Sequence, residues 1–60
     1  MFVHILLRLT EKDPYTGEWY EDRGIVIDVF ENHSDAVRDM RFLEEESPSH
    51  EYNVYKKRLF

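Results

Sequence analysis

The sequence contains no cysteine, which excludes disulfide bonds, thiolate metal sites and thiol nucleophiles. It has only two glycines and two prolines, whereas 42% of its residues are hydrophobic and 15% are aromatic. This composition favours a folded domain over a disordered chain. Sixty residues suffice for one domain, which buries only about 60% of the surface that its unfolded chain exposes. Its stability must therefore come from a small core, with self-association as a further source.

Long hydrophobic runs are also missing. No apolar run reaches the roughly 18 residues that a membrane span requires. The apolar start of the chain, Met1–Leu9, lacks the basic beginning and the small-residue cleavage site of a signal peptide. We therefore expect no membrane partner and a cytoplasmic location.

Three segments show the alternation that is typical of β-strands: Met1–Thr10, Gly24–Phe30 and Tyr52–Phe60. The first strand has a wholly apolar face, formed by Val3, Ile5, Leu7 and Leu9. Its other face is half apolar and consists of Phe2, His4, Leu6 and Arg8. In the second strand, Ile25, Ile27 and Val29 form one face, and Val26, Asp28 and Phe30 form the other. The first strand is therefore expected at the centre of the sheet.

A turn signal separates the first two strands. Asp13-Pro14-Tyr15-Thr16-Gly17 combines an aspartate that accepts backbone hydrogen bonds, a proline that fixes φ and a glycine suited to closing a turn. We interpret residues 11–22 as a hairpin arm that protrudes beyond the sheet, and Gly24 as a bulge where the arm rejoins it. A long loop without regular structure is the alternative.

A helix is predicted after the second strand. Asn32 is the expected N-cap with Asp35 as its capping-box partner, and Ser34 is the alternative cap. Ala36, Met40 and Leu43 form one apolar stripe, with Val37 beside it and Phe42 on its flank. Pro48 cannot continue a helix and ends this one.

The order strand, strand, helix, strand predicts one α+β domain over residues 1–60, with the layout ββαβ. A right-handed crossover places the third strand beside the first, which gives a three-stranded antiparallel sheet of order 2-1-3 with the helix on one face. Leu7 and Ile27 are expected to pack against Met40 and Leu43. We also expect Tyr52 and Val54 to face the helix.

One helix cannot cover both faces of a sheet. The opposite face is expected to expose an apolar patch formed by Phe2, Leu6, Val26 and Phe30, with Tyr55 at its margin. Exposed apolar patches often mark an interface. We therefore expect either a homodimer or a partner protein on this face. The alternative is a monomer in which the arm or the C-terminal Leu59-Phe60 folds across the patch.

No constellation of residues supports catalysis. His4, His33 and His50 lie on different predicted elements, and none has a second histidine four residues away as in helical metal motifs. Ser49-His50-Glu51 and His33-Ser34-Asp35 contain triad residue types, but sequence neighbours do not form a triad. The two glycines do not form a phosphate loop. We therefore expect no catalytic residue, no metal site, no cofactor and no enzymatic activity.

The charge is unevenly distributed. The stretch from Glu11 to Glu51 holds all thirteen acids and only four bases, a net charge of −9, whereas Arg8, Lys56, Lys57 and Arg58 lie outside it. The arm alone has five acids against Lys12. A negative surface disfavours direct nucleic-acid binding, which requires lysine and arginine. One interpretation is a solvated surface that keeps a small protein soluble, with the aromatic residues pairing across the hairpin. The other is docking on a basic protein surface, with the exposed aromatic residues as anchors. The predicted partner-binding residues are Glu11, Asp13, Tyr15, Glu18, Trp19, Tyr20, Glu21, Asp22, Glu44, Glu45 and Glu46.

The junction Val29-Phe30-Glu31-Asn32-His33-Ser34-Asp35-Ala36 resembles the strand-to-helix junction of many small bacterial and phage ββαβ proteins. In size, charge and layout the chain is also similar to phage anti-defence proteins, including anti-CRISPR inhibitors that imitate nucleic acid. This resemblance implies an inhibitor that blocks the basic, nucleic-acid-binding surface of a host protein or nuclease complex. A homodimeric structural or regulatory module is the alternative.

Overall fold

A computed structural model describes the whole chain, residues 1–60. Its elements are β1 (Phe2–Leu9), β2 (Gly24–Phe30), α1 (His33–Glu46) and β3 (Glu51–Arg58). The strands form an antiparallel sheet in the order β2-β1-β3, which confirms the predicted α+β fold. No helix has both the length and the apolar character needed to cross a membrane.

The core is small and centres on β1. Three of the four buried residues, Leu6, Leu7 and Leu9, belong to this strand, and the fourth is Ala36 in α1. A central strand has a neighbour on each side, so its side chains are shielded best. The apolar alternation of β1 therefore explains both its position and its burial.

The helix lies on the face of β1 that carries Leu6. His4 shares this face with Leu6 because side chains alternate along a strand. The His4 ring meets the ring of His33, the first residue of α1, with centroids 5.2 Å apart. Leu6 is 1% exposed and Ala36 is fully buried. The prediction that the helix covers the Leu7 face is therefore wrong.

The arm covers part of the opposite face. Asn53 pairs with Leu7 across the sheet, and its side-chain Nδ2 donates a hydrogen bond to the backbone oxygen of Glu21 at 2.9 Å. Leu7 and Leu9 point to this side and are nevertheless buried. The alternation along β1 predicts the helix on its most apolar face, whereas in the structure the arm shields that face. Leu7 is thus a core residue, as predicted, but it does not face α1.

Tyr52 and Val54 pair with Arg8 and Leu6. They therefore lie on the helix side of the sheet, as predicted, and both are half-buried.

The pairing of β1 with β2 contains a bulge. Leu6 pairs with Asp28 and Leu7 pairs with Val26, so Ile27 is the extra residue. Gly24 pairs regularly with Leu9 at the point where the arm rejoins the sheet, and the prediction of a bulge at this glycine is wrong. Ile27 is exposed and is not the core residue that the alternation predicted.

The bulge also redistributes the apolar side chains of β2. Val26 and Val29 pair with Leu7 and Ile5 on the arm side, whereas Ile25 pairs with Arg8 on the helix side. Of the predicted exposed patch, Leu6 is buried under α1. Phe2 and Phe30 share its face by alternation and pairing, and Val26 and Tyr55 lie on the other face. The predicted patch is therefore split between two faces.

The helix begins as predicted but is capped differently. Asn32 is the N-cap residue and has extended backbone angles, but its side chain makes no capping hydrogen bond. Its Nδ2 instead donates to a carboxylate oxygen of Asp35 at 3.4 Å. Asp35 also accepts from Arg38, so its carboxylate is engaged by side chains and not by the backbone N–H of the N-cap.

Candidate partner-binding surface

The arm, residues 11–22, is a short hairpin closed by the predicted turn. The Asp13 carboxylate accepts hydrogen bonds from the backbone N–H groups of Tyr15 and Thr16, at 2.8 Å and 3.4 Å. Gly17 closes the turn with φ of +74° and donates its N–H to the backbone oxygen of Asp13. A bridge between Lys12 and Trp19 continues the hairpin. Hydrogen bonds within the arm therefore maintain its hairpin conformation.

The three aromatic residues of the arm differ in exposure. Tyr15, at the tip, is 96% exposed. Trp19 and Tyr20 are half-buried, and each holds a cation over its ring: Lys12 Nζ is 4.6 Å from the Trp19 centroid, and the Arg23 guanidinium is 4.4 Å from that of Tyr20. Tyr15 is therefore free to contact a partner, whereas Trp19 and Tyr20 contribute first to the arm itself.

The topology gathers the acidic residues at one end of the sheet. The arm leaves β1 after Leu9 and returns at Gly24, which pairs with Leu9. Helix α1 starts at the other end, beside His4, and its C-terminus leads into Glu51, which also pairs with Leu9. We call this region the acidic end. It contains Glu11, Asp13, Glu18, Glu21, Asp22, Glu44, Glu45, Glu46 and Glu51.

Most carboxylates of the acidic end have no cationic partner within the chain. The two ion pairs of the structure are Arg23–Glu11 and Arg38–Asp35. Glu11 thus pairs with Arg23, and the Asp13 carboxylate accepts the backbone hydrogen bonds of the turn. The carboxylates of these two residues stabilise the arm itself. The side chains of Glu18, Glu21 and Asp22, like those of the helix end, remain available to a partner.

The helix end is an unfavourable place for negative charge. Glu44, Glu45 and Glu46 occupy the last residues of α1, and no basic residue stands in its last turn. The partial negative charge of a helix C-terminus disfavours carboxylates by about 0.3–1 kcal/mol at exposed sites. Local stability therefore does not explain these three glutamates.

The basic cluster is at the opposite end. Lys56, Lys57 and Arg58 pair with His4, Val3 and Phe2 at the start of β1. The eight residues of β1 span about 23 Å, at roughly 3.3 Å per residue. This is more than twice the Debye length of about 8 Å at physiological ionic strength. The basic cluster therefore does not neutralise the acidic end.

A cleft of about 400 Å³ opens between the arm and the start of β3. Three carboxylates line it, those of Glu18, Glu21 and Glu51, together with Asn53. Leu9, Trp19 and Tyr52 complete its lining. The cleft thus joins arm residues to residues of β3 that are thirty or more positions later in the sequence.

All of the predicted partner-binding residues belong to the arm or to the end of α1, and the strand pairing places both segments at the same end of the sheet. Glu51, Tyr52 and Asn53 line the cleft but are not among the predicted residues. The predicted strand order contained the signal for them, because it places the start of the third strand beside the root of the arm.

The histidines lie at both ends. His4 and His33 are at the basic end, whereas His50 contacts Tyr52 near the acidic end. No group of three histidine, aspartate or glutamate side chains is arranged to hold a metal ion. Comparison with known proteins finds no matching family, no matching curated protein and no matching solved structure.

Proposed function

We propose that this chain is a non-enzymatic inhibitor that acts in the cytoplasm of a host cell. Its acidic end would dock on a basic, nucleic-acid-binding surface of a host protein or nuclease complex, in the manner of phage anti-CRISPR proteins. The observation that carries the proposal is the collection of unpaired carboxylates from the arm, the helix end and β3 at one end of the molecule. Carboxylates spaced over such a surface occupy positions meant for phosphates.

Two further observations support this proposal. The glutamates of the helix end oppose the helix dipole, so their placement costs stability and indicates a role outside the fold. The exposed ring of Tyr15 projects from the same end and offers an apolar anchor beside the charges. Long-range attraction by a concentrated charge of one sign also speeds association with a basic surface.

Charge reversal on the arm tests the proposal. In the double variant Glu18→Lys/Asp22→Lys, we expect capture of the partner from a nuclease-treated bacterial lysate to weaken at least about tenfold, because attraction to a basic surface becomes repulsion. Capture by the unaltered protein should decrease with salt and with added DNA, which competes for the same basic surface.

The matched control is Glu31→Lys/Asp39→Lys, which makes the same change in net charge at exposed positions outside the acidic end. It should retain capture. Equal losses in both variants, or capture that neither salt nor DNA weakens, would contradict docking through the acidic end.

A specific feature of β2 favours the alternative, a homodimeric module. This edge strand exposes Ile25, Val26, Ile27 and Val29 at 43% to 57%, and Asp28 is its only charged residue. The other edge strand, β3, is protected by lysine and arginine, a common device against edge pairing. A second copy that paired along β2 would extend the sheet and cover these side chains.

Light scattering over a concentration series tests the dimer. We expect the unaltered protein to approach twice the monomer mass at high concentration. Val29→Lys should keep it monomeric, because a lysine on an edge strand disfavours pairing. Phe60→Lys, at an exposed terminal residue, is the control and should dimerise normally. A constant monomer mass for the unaltered protein would eliminate this alternative.

A further inference from the structure

The outer edge of β2 carries backbone groups that no other strand of the chain uses. Just before β1, the backbone oxygen of Met1 accepts a hydrogen bond from Leu59, which follows β3. Because backbone groups alternate sides along a strand, the odd-numbered residues of β1 direct theirs toward β3. Val26 and Val29 pair with odd-numbered residues of β1. Their N–H and C=O groups therefore point away from β1, to the outside of the sheet.

One of these outward groups is engaged by a side chain. The backbone N–H of Val29 donates to the carboxylate of the preceding residue, Asp28, at 2.8 Å. Asp28 is exposed and is the only charged residue of β2. Its side chain therefore satisfies an edge N–H that would otherwise attract another strand.

The bulge residue Ile27 makes the side-chain pattern of β2 symmetric about the peptide bond that follows it. Val26 and Val29 lie on the arm side, one on each half of the strand, and Ile25 and Phe30 lie on the helix side. The outward valines are three positions apart, whereas residues that face one way in a regular strand are two apart. A regular strand therefore cannot match both valines, but an antiparallel copy of β2 has the same spacing, as a two-fold interface requires.

We propose that a second copy of this chain pairs antiparallel with β2, with Val26 of each copy opposite Val29 of the other. In this register the outward backbone groups meet, and each valine pair exchanges its backbone hydrogen bonds. Ile25 of each copy lies beside Phe30 of the other. The apolar side chains of β2, which are 43% to 57% exposed, are then covered. This inference rests on the homodimeric alternative, to which it gives a register and a restraint.

Asp28 supplies the restraint in two ways. Its carboxylate occupies the N–H of Val29, which must be released before Val26 of the second copy can accept it. In the proposed register Asp28 also lies next to the two-fold axis, so two carboxylates approach each other, and like charges in such positions are destabilising. Loss of the Asp28 charge should therefore favour the dimer.

Cysteine cross-linking tests the register, since the chain has no cysteine of its own. Val26→Cys and Val29→Cys are purified separately, mixed and oxidised in a glutathione redox buffer. Opposite Cα atoms in a hydrogen-bonded pair are about 5.5 Å apart, within disulfide reach. In either variant alone, the two cysteines of a dimer are three residues out of register, or about 10 Å apart.

We expect the mixture to form disulfide-linked dimer at least about fivefold faster than Val26→Cys or Val29→Cys alone. Equal rates in the mixture and in either single variant would overturn the register.

Light scattering tests the restraint. Asp28→Asn keeps the shape of the side chain without its charge and should lower the dissociation constant of the dimer at least about fivefold. The matched control, Asp39→Asn, removes the same charge from an exposed position of α1 and should leave that constant unchanged. An equal gain in both variants, or no gain in Asp28→Asn, would overturn the role of Asp28.

Failure of the register is distinguishable from failure of the homodimer. If a dimer forms but the cysteine mixture does not cross-link faster, the homodimer stands and the register is wrong. If the unaltered protein and Asp28→Asn are both folded monomers at every concentration, the homodimer is wrong and this inference is overturned with it. Docking through the acidic end is independent of both results, because lysate capture measures it.

Discussion

Leu6→Ala is expected to lower the free energy of unfolding by about 2–5 kcal/mol, because Leu6 is 1% exposed and its truncation leaves a cavity under α1. At roughly 0.05–0.15 kcal/mol per residue, a 60-residue domain has only about 3–9 kcal/mol of stability. The substitution should therefore remove a large part of the protein's stability. Urea denaturation followed by circular dichroism measures the loss.

Ile27→Ala is the informative comparison for Leu6→Ala. Ile27 is the unpaired residue of the bulge and is 43% exposed, so its truncation removes less buried surface. It should cost clearly less than Leu6→Ala, about 1 kcal/mol by the buried-area relation. The alternation in the sequence predicts the opposite ranking, with Ile27 in the core and Leu6 on the surface. A greater loss for Ile27→Ala than for Leu6→Ala would contradict the register of β1 with β2.

The sequence is sufficient to predict the elements and their order, because each rests on a local signal or on a general topological rule. Asp13-Pro14 and Gly17 mark the turn of the arm, Pro48 marks the end of α1, and the right-handed crossover places β3 beside β1. None of these signals depends on which residues meet across the core.

The faces of the sheet could not be predicted in the same way. Alternation shows which residues share a face, but it does not show which face the helix covers. Both faces of β1 carry leucines, and an arm with Trp19 and Tyr20 can shield one of them as α1 shields the other. The extra residue at Ile27 then reverses the alternation along β2, and no residue type in that strand signals it.

The candidate site could be predicted in part, where it depends on local sequence. The arm and the helix end are local clusters of acidic residues, which the sequence shows directly in Glu18 and Glu45, with Trp19 as an aromatic residue among them. The cleft depends on a long-range contact between the arm and β3, which the hydrogen bond from Asn53 to Glu21 holds in place. Without this contact, nothing in the sequence distinguishes Glu51 from the other glutamates.

Gly24 controls how the arm joins the sheet, and Gly24→Ala is expected to cost about 3 kcal/mol or more. Its φ of +154° is a conformation that other residues rarely adopt, and such strain costs about 1–3 kcal/mol. In addition, a Cβ at this position would overlap the backbone carbonyl oxygen of Arg8 in the central strand. Relief of that overlap requires β1 and β2 to separate next to the Leu9 pair.

Gly17→Ala is the matched control, because Gly17 also has a positive φ, of +74°, but a Cβ there meets no atom within 4 Å. Its cost should be limited to the left-handed backbone, about 1–2 kcal/mol. Thermal unfolding measures the stability of both variants, and the difference between them is the cost of the overlap with Arg8, since both share the backbone strain of a positive φ. Since Gly24 is at the root of the arm, hydrogen exchange at the backbone N–H of Tyr20 should also accelerate more in Gly24→Ala than in Gly17→Ala. Equal stabilities would show that the overlap at Arg8 is relieved at no cost beyond backbone strain, and the cleft beside this junction would then not be a rigid site.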